Sequence, residues 1–268
     1  MTGDAVPLLV VGAHLDDAVL SCGRLLAAAP GSVVCTVFAG RPGPDAPARP
    51  GETAWDVRCG FAPGDDVVGA RHAEDDAALA VLAARPVRLG FVDAQYGPPP
   101  AVDDVAAALA RVVAEVRAAR VLVPLGLFHR DHRWTAAAWL RVLRTGGAGP
   151  APWAVHVDAP YRAWAPVRQR LAALARTGVR LGPPDVTTDA DVGPAAADRR
   201  RRALDAYVSQ RVGLADLGSR AAAAAPLPPA PGADGDVVHA VLGAVPGAGS
   251  TPGPGCDGDR PRDARLDR

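Results

Sequence analysis

Short apolar runs alternate along the chain with longer segments in which apolar residues recur every three or four positions. Short continuous runs are typical of buried parallel strands, whereas the spaced segments are typical of amphipathic helices. The clearest helix is predicted at 102–119, where Val105, Leu109, Val112 and Val116 share one face. We predict strands at 7–11, 32–38, 87–92, 121–125, 153–157 and near 179, and the remaining helices at 18–29, 67–84, 133–143, 167–176 and 195–207.

The regular alternation of strand and helix predicts an α/β fold, a Rossmann-like three-layer sandwich with a mostly parallel sheet between two layers of helices. In a doubly wound sheet of order 3-2-1-4-5, the first and fourth strands are neighbours where the order reverses. Ligands of such sheets bind at the carboxyl edge of the strands at this point. We therefore expect the loops after 7–11 and 121–125 to face each other across one crevice.

The composition changes at about residue 219, where Ala, Pro, Gly and Asp begin to dominate. A segment such as 225–232 contains too few large apolar residues to build a core. The sequence therefore predicts one domain at 1–218 and a mostly disordered tail at 219–268, in which only 237–245 is apolar enough for a short element. We expect a chain without this tail to retain activity.

The overall composition excludes several classes of partner. Apolar residues make up 49% of the chain, enough for a sizeable core, and the formal net charge of +0 argues against nucleic acid or an anionic membrane as partner. No apolar run is long enough to span a membrane, no signal-peptide pattern is found, and the four cysteines form no Cys-x-x-Cys pair. We predict a cytoplasmic protein that binds a small molecule, with a homo-oligomer left open.

Three polar residues, His14, Asp16 and Asp17, follow the first predicted strand within four positions. One imidazole and two carboxylates in so short a loop would cost desolvation energy and repel one another unless a positive group lay among them. A divalent metal ion meets this requirement. The alternative is that Asp16 or Asp17 caps the following helix.

A second polar cluster, formed by His129, Asp131 and His132, follows the fourth predicted strand. Taken alone, its histidines could be a helix cap and a surface residue. If the two clusters share one crevice, two imidazoles and one carboxylate make a three-ligand zinc set with an open position for water. A second carboxylate then remains free to act as a general base. Together the clusters favour a Zn2+ site at the carboxyl edge of the sheet.

The same residues carry a resemblance to a known family. The segments Ala13-His-Leu-Asp-Asp17 and His129-Arg-Asp-His132 resemble the two motifs of the PIG-L/LmbE-like zinc-dependent N-acetylglucosaminyl deacetylases, which read Ala-His-Pro-Asp-Asp-Glu and His-Pro-Asp-His or His-x-Asp-His. The set of matches in one order is more specific than any single match. Shorter matches extend the resemblance over about 8–210 and lie at 55–61, 71–79, 89–93, 158–161 and 202–210.

The resemblance implies a role for each residue of the two clusters. Its Zn2+ ligands are expected to be His14, Asp17 and His132. Asp16 is expected to act as the general base and His129 to stabilise the oxyanion. Asp131 is expected to orient a histidine from outside the ligand set.

The resemblance also implies a substrate. Members of the family remove the acetyl group from N-acetylglucosaminyl conjugates, including inositol-linked, lipid-linked and natural-product sugars. Arg71 and Asp93 match positions that bind sugar hydroxyls in some of these proteins. The expected function is therefore zinc-dependent N-deacetylation of such a conjugate, with natural-product or thiol-glycoside biosynthesis as candidate settings. The alternative for Arg71 is a surface pair with Glu74 on one helix.

The chain departs from the family pattern at Ala18, where the motif has Glu, and at Leu15 and Arg24, where it has Pro and Gly. Because Ala18 removes a carboxylate that supports the loop, the alternative function is a catalytically impaired sugar- or nucleotide-binding module on the same fold. A metal-dependent phosphoesterase would need two metals and more carboxylates. Dinucleotide binding is excluded, because no Gly-x-Gly-x-x-Gly follows the first strand.

Overall fold

The computed structural model describes residues 7–161, 167–215 and 235–244 of the chain. In chain order its strands are β1 Leu8–Gly12, β2 Val33–Thr36, β3 Arg85–Arg88, β4 Arg120–Pro124, β5 Trp153–His156, β6 Val179–Thr187 and β7 Asp236–Ala244. They form one seven-stranded sheet in the order β3-β2-β1-β4-β5-β7-β6. Strands β1 to β5 pair in parallel, whereas β7 runs antiparallel to both β5 and β6. The predicted order 3-2-1-4-5 is confirmed.

Helices cover both faces of this sheet. In chain order they are α1 Asp17–Ala28, α2 Ala54–Arg58, α3 Val67–Val81, α4 Val102–Val116, α5 Arg130–Arg144, α6 Val167–Arg176, α7 Asp189–Val192 and α8 Pro194–Asp205. Successive side chains of a strand point to opposite faces, so Leu9 and Val11 pack in one core layer and Val10 in the other. Helices α1, α3 and α8 cover the Val10 face, and α4 and α5 cover the opposite face. The predicted three-layer α/β sandwich is confirmed.

The third strand begins earlier than predicted. It covers Arg85–Arg88 instead of 87–92, because β3 is an edge strand in which exposed polar residues and Pro86 are tolerated. Two isolated bridges, from Phe38 to Gly90 and from Gly40 to Val92, continue the contact between the segments that follow β2 and β3.

The connection between β2 and α3 is fixed by the buried carboxylate of Asp56. This group accepts hydrogen bonds from Gly51 N (3.0 Å), from Tyr96 OH (2.8 Å) and from Arg71 Nη2 (2.9 Å). Gly51 has a φ of +83°, and a Cβ there would lie 2.0 Å from Ala62 O, so glycine is required. Asp56 thus ties the long connection to α3 and to the loop after β3.

The segment predicted as a tail contributes an interior strand. Strand β7 lies between β5 and β6, and Val237 and Val238 are buried on opposite faces of the sheet. The short element that the sequence allows at 237–245 is this strand. Its interior position was not predicted, because the burial of β7 comes from long-range pairing. Apart from 235–244, the predicted tail lies outside the described residues, so the boundary at 218 stays a prediction. Within the described parts of the chain, no helix combines the length and apolarity needed to cross a bilayer.

Candidate active site

The loop after β1 places three polar side chains at the carboxyl edge of the sheet. The backbone N–H of His14 donates to Asp17 Oδ2 (2.7 Å) and closes the turn that leads into α1. Asp16 directly precedes α1, but its side chain makes no capping hydrogen bond. The helix-cap alternative therefore does not hold for Asp16, and all three side chains line one cavity.

The loop after β4 places the second cluster at the start of α5. His129 caps this helix, since its Nδ1 accepts a hydrogen bond from Asp131 N (3.3 Å). A neutral His129 with an accepting Nδ1 carries its proton on Nε2, which is then a donor. His132 is only 1% exposed, so the surface-histidine alternative is wrong.

The two clusters meet at the carboxylate of Asp17. Its Oδ2 lies 3.4 Å from His14 Nδ1 and 3.2 Å from His132 Nε2. In a tetrahedral zinc site, ligand distances near 2.0–2.1 Å place neighbouring ligand atoms roughly 3.3–3.4 Å apart. The two distances from Asp17 Oδ2 are therefore those expected between neighbouring ligands of one metal ion. The direct pairing of β1 with β4 brings these loops together, as the sequence predicts.

Each of the two histidines contacts a buried carboxylate with its other ring nitrogen. His14 Nε2 lies 3.1 Å from Asp131 Oδ2, and His132 Nδ1 lies 2.6 Å from Asp158 Oδ1. Carboxylates in this position fix the orientation and tautomer of metal-binding histidines. The family resemblance implies such a role for Asp131 and none for Asp158, although the segment 158–161 follows the fifth predicted strand and matches the family.

By distance alone, two overlapping groups of side chains could hold a metal ion among the described residues. One nitrogen each of His14, His129 and His132 lies within 4.8 Å of the others, and so does one atom each of His14, Asp93 and Asp131. Asp131 Oδ1 is buried and has no hydrogen-bond partner in the described parts of the chain. A donor set of imidazoles and carboxylates suits Zn2+ and other divalent transition metals. Both groups include His14.

The adjacent carboxyl groups of Asp16 and Asp17 have opposite pKa shifts. Burial, and then the negative charge of Asp17, raise the pKa of Asp16 to about 7. Burial also acts to raise the pKa of Asp17, but His132 and His14 outweigh it and hold that pKa below its usual range. Two chemically identical side chains thus have different proton affinities because their surroundings differ.

The pKa values of His129 and of its neighbour His14 are shifted in opposite directions. Burial and the nearby His14 lower the pKa of His129 to about 4, so its ring is neutral at pH 7. Burial also acts to lower the pKa of His14, but Asp93, Asp131 and Asp17 outweigh it and raise that pKa. A neutral His129 with its proton on Nε2 is a hydrogen-bond donor without a positive charge.

One cavity of about 280 Å³ gathers most of the predicted site. Of the eight predicted site residues, six line this cavity: His14, Asp16, Asp17, Arg71, Asp93 and His129. Asp131 and His132 are absent from the lining and lie behind His14 and Asp17. The apolar part of the lining includes Phe38, Trp55, Phe128 and Tyr161, which the sequence analysis did not assign to the site.

The two predicted substrate residues are both held in place by neighbours. Arg71 is buried and donates to Asp56, while its Nε has no hydrogen-bond partner among the described residues. The surface-pair alternative is wrong, because Glu74 instead accepts from the N–H and hydroxyl of Ser209. Asp93 accepts from the backbone and side-chain amides of Gln95, and its Oδ2 lies 3.8 Å from His14 Nε2.

Two departures from the family motif lie on the core side of α1. Ala18 is fully buried in the apolar layer between α1 and the sheet. Arg24 donates from Nε to Asp189 (2.6 Å) and lies 3.4 Å from Asp236. Neither residue lines the cavity, whereas Leu15 does.

Comparison with known proteins gives one family and a group of solved structures. A family model described as PIG-L, GlcNAc-PI de-N-acetylase, matches residues 9–143. The A40926 pseudoaglycone deacetylase Dbv21 is 29% identical with a TM-score of 0.68, over 90% of this chain and 99% of its own. A deacetylase–teicoplanin complex is 27% identical with a TM-score of 0.70, over 89% and 99%. The zinc-inhibited form of teicoplanin deacetylase Orf2 is 27% identical with a TM-score of 0.68, over 89% and 98%.

None of the curated proteins matches the chain. The family match covers half of the chain and includes both polar clusters, which meet in space as the motif pattern requires. The solved deacetylases share the fold over nearly their whole lengths. The chain belongs to the PIG-L family of de-N-acetylases.

Proposed function

We propose that the chain is a metal-dependent N-deacetylase that uses Zn2+ to remove the acetyl group from an N-acetylglucosaminyl conjugate. The observation that carries the proposal is the approach of His14 and His132 to Asp17 Oδ2, with a buried carboxylate behind each ring. Two imidazoles and one carboxylate are the protein ligands of a large class of catalytic zinc sites. Membership of a deacetylase family and the similarity to solved deacetylases support the same chemistry.

The residues fit a metal ion in both spacing and donor type. His14 Nδ1, Asp17 Oδ2 and His132 Nε2 would hold it, while Asp131 and Asp158 keep the two rings in place. The ion would polarise the acetyl carbonyl and lower the pKa of a water molecule at the open position. The existence of a zinc-inhibited form of a similar deacetylase supports zinc binding. Because zinc inhibits that enzyme, both the identity and the concentration of the metal need to be varied in the test.

Asp16 and His129 would carry the proton transfer and the charge stabilisation. As a water oxygen adds to the acetyl carbon, Asp16 takes a proton from that water. His129 Nε2–H donates to the carbonyl oxygen while negative charge develops there. When the carbon–nitrogen bond breaks, the proton on Asp16 passes to the amine nitrogen. The products are acetic acid and a free amine, and Asp16 is again a carboxylate, so atoms and charge balance.

Arg71 and Asp93 would position the sugar. Both residues line the cavity, so the Arg71 guanidinium can donate to a sugar hydroxyl and the Asp93 carboxylate can accept from another. Similar proteins include a pseudoaglycone deacetylase and a teicoplanin-bound deacetylase, so we favour a glycosylated natural product as the conjugate.

A catalytically impaired sugar-binding module is the second candidate, and Ala18 is the observation that favours it. The motif carboxylate is missing, and a buried methyl group occupies its place. The proposed metal ligands and Asp16 are nevertheless present and close together, which favours the enzyme. Metal content together with amine release separates the two candidates, because a binding module has no need to retain the ion and releases no amine even when it does.

The test is an amine-release assay on a panel of N-acetylglucosaminyl compounds. Protein stripped of metal is reloaded in separate reactions with Zn2+, Co2+, Mn2+ or Mg2+, and zinc is also titrated beyond stoichiometry. We expect activity to disappear on stripping and to return with about one ion per chain. Full activity of stripped protein would contradict metal dependence, and metal-loaded protein that deacetylates no compound of the panel would favour the binding module.

A further inference from the structure

The loop between β4 and α5 carries an aromatic residue in the left-handed region of backbone conformation. Phe128 has a φ of +51°, which brings the Cβ of an L-residue close to the following carbonyl oxygen. Bulky residues rarely adopt this conformation, and residues that do adopt it are often found at active sites and ligand-binding sites. Phe128 is also 61% exposed, so burial of the ring does little to offset the strain.

Two other residues besides glycine have a positive φ in the described parts of the chain, and both have an ordinary structural explanation. Arg117 (+49°) is the C-cap of α4, and Ala83 (+51°) follows Leu82, the C-cap of α3. Left-handed residues commonly end helices. Phe128 instead lies two residues before α5 begins, so the ending of a helix does not explain its conformation.

The neighbours of Phe128 hold the loop in this shape. Asp158 Oδ2 accepts hydrogen bonds from the backbone N–H groups of Gly126 (3.0 Å) and Leu127 (3.2 Å). The side chain of Leu127 is buried in the core, whereas the next residue, Phe128, lines the cavity. Because Asp158 also contacts His132, one buried carboxylate fixes both the aromatic loop and a proposed metal ligand.

The ring of Phe128 lies beside the proposed chemistry. It packs against Tyr161, with ring centroids 5.4 Å apart and planes inclined at 35°. The Tyr161 ring in turn lies 5.2 Å from the ring of His132. Phe128 is adjacent in sequence to His129. Phe128, His129 and Tyr161 line the same cavity, whereas His132 does not. The two aromatic rings therefore form one wall, which runs from the reacting groups to the exposed edge of Phe128.

The size of the cavity places the rest of the substrate at this wall. A volume of about 280 Å³ is below the range of roughly 300–1,000 Å³ that encloses drug-sized ligands. One acetylated monosaccharide, with its acetyl group at Asp16 and His129, would use most of this space. Whatever is joined to the sugar must leave through the rim, where Phe128 is exposed.

We propose that Phe128, backed by Tyr161, is a binding subsite for an aromatic or apolar aglycone joined to N-acetylglucosamine. The inference rests on the proposed deacetylase function and adds which chemistry the chain recognises outside the sugar. Stacking of an aromatic aglycone on such a ring is worth roughly 2- to 10-fold in affinity. The strained backbone is retained because it presents the ring to the substrate.

The test compares Phe128→Asn with Phe128→Tyr. Asn tolerates the left-handed conformation and removes the ring, whereas Tyr keeps an aromatic ring. Amine release gives kcat/KM on p-nitrophenyl N-acetyl-β-D-glucosaminide and on free N-acetylglucosamine, and the ratio of the two values is compared with that of the wild type. Ala83→Asn is the matched control, since Ala83 has the same φ far from the cavity. We expect Phe128→Asn to lower the ratio roughly 2- to 10-fold, while the other two variants keep it.

An unchanged ratio in Phe128→Asn, or the same loss in Phe128→Tyr, would overturn the subsite and leave the deacetylase function standing. If the wild type releases amine from neither compound, the wider panel of N-acetylglucosaminyl compounds decides the deacetylase function, and calorimetric binding of both sugars decides the subsite. In that case, weaker binding of the aryl glycoside alone to Phe128→Asn supports the subsite, and equal binding to the wild type and Phe128→Asn overturns it.

Discussion

The parallel and the antiparallel strands of the sheet contribute to the molecule in different ways. The parallel strands β1 and β4 end at the cavity, and their loops bring together His14, Asp17 and His132. The antiparallel strands β6 and β7 contribute no residue to the cavity lining within the described parts of the chain. The proposed chemistry is therefore concentrated at the parallel strands, whereas the antiparallel strands support it.

Asp236 on β7 shows how this support is given. Helix α1 is distorted at Cys22, whose φ of −131° is not helical. Asp236 Oδ2 accepts hydrogen bonds from the backbone N–H groups of Arg24 (2.7 Å) and Leu25 (3.0 Å), just beyond the distortion. The buried carboxylate thus satisfies donors that would otherwise lack partners. Because α1 begins with Asp17, Asp236 is connected to the proposed metal site along that helix, and β7 also pairs with β5, which leads to Asp158 behind His132.

Removing the antiparallel pairing altogether should have the largest effect. A chain truncated at Arg220 lacks β7, which hydrogen-bonds to β5 on one side and β6 on the other. The sequence predicts that this truncated chain is active, but the structure leads us to expect a chain that does not fold, because β6 loses the strand it pairs with and β5 loses one of its two partner strands. Circular dichroism and amine release test this. A chain ending at Ala244 is the control and should keep both signals. An active chain without β7 would contradict the proposal that β7 supports the fold.

On the parallel side, Asp17→Ala should remove the metal and the activity together. The carboxylate oxygen shared by His14 and His132 disappears, so no three-ligand set remains. Elemental analysis of the purified variant, with circular dichroism to verify folding, measures the loss. His129→Ala is the matched control, because our assignment makes His129 a hydrogen-bond donor and predicts that its removal leaves the metal in place. If His129→Ala loses the metal and Asp17→Ala keeps it, the ligands are instead His14, His129 and His132.

The neighbouring substitution Asp16→Asn should separate metal binding from turnover. The amide has the shape of the carboxyl group but cannot take a proton from water, so kcat should fall by roughly two to four orders of magnitude. Zinc content and the dissociation constant of the substrate should stay near the wild-type values, since Asp16 is not among the proposed ligands. Parallel measurement of kcat and zinc content decides the matter: loss of zinc, or near-normal turnover, places the base elsewhere.

The proposed site on the parallel side could be found from the sequence because its information is local. His14, Asp16 and Asp17 follow one apolar run within four positions, and His129 and His132 follow another. The general rule for strand order then places the loops after β1 and β4 at the carboxyl edge of the sheet, so the prediction depends on few long-range contacts.

The supporting contacts could not be found in this way, because each joins residues far apart in the chain. Asp158 reaches His132 across 26 positions, and Asp236 reaches Arg24 across 212. No spacing or period in the sequence encodes such pairs. The composition around β7 favours disorder, and the residues that bury this strand lie far away in the sequence, on β5 and β6. The left-handed turn at Phe128 was equally hidden, because a bulky aromatic residue gives no local signal for it.

The smallest of the four expected effects is that of Asp236→Ala, which should lower stability and leave the chemistry unchanged. Two backbone N–H groups of α1 lose a buried acceptor, which costs roughly 2–6 kcal/mol of unfolding free energy if each group costs a typical penalty. Urea unfolding measures this cost, with Asp185→Ala on β6 as the control, because that exposed carboxylate should change stability by no more than about 0.5 kcal/mol. Zinc content and kcat, measured well below the unfolding transition, should match the wild type. A fall in kcat at full metal occupancy, with stability unchanged, would show that β7 acts on the reaction itself.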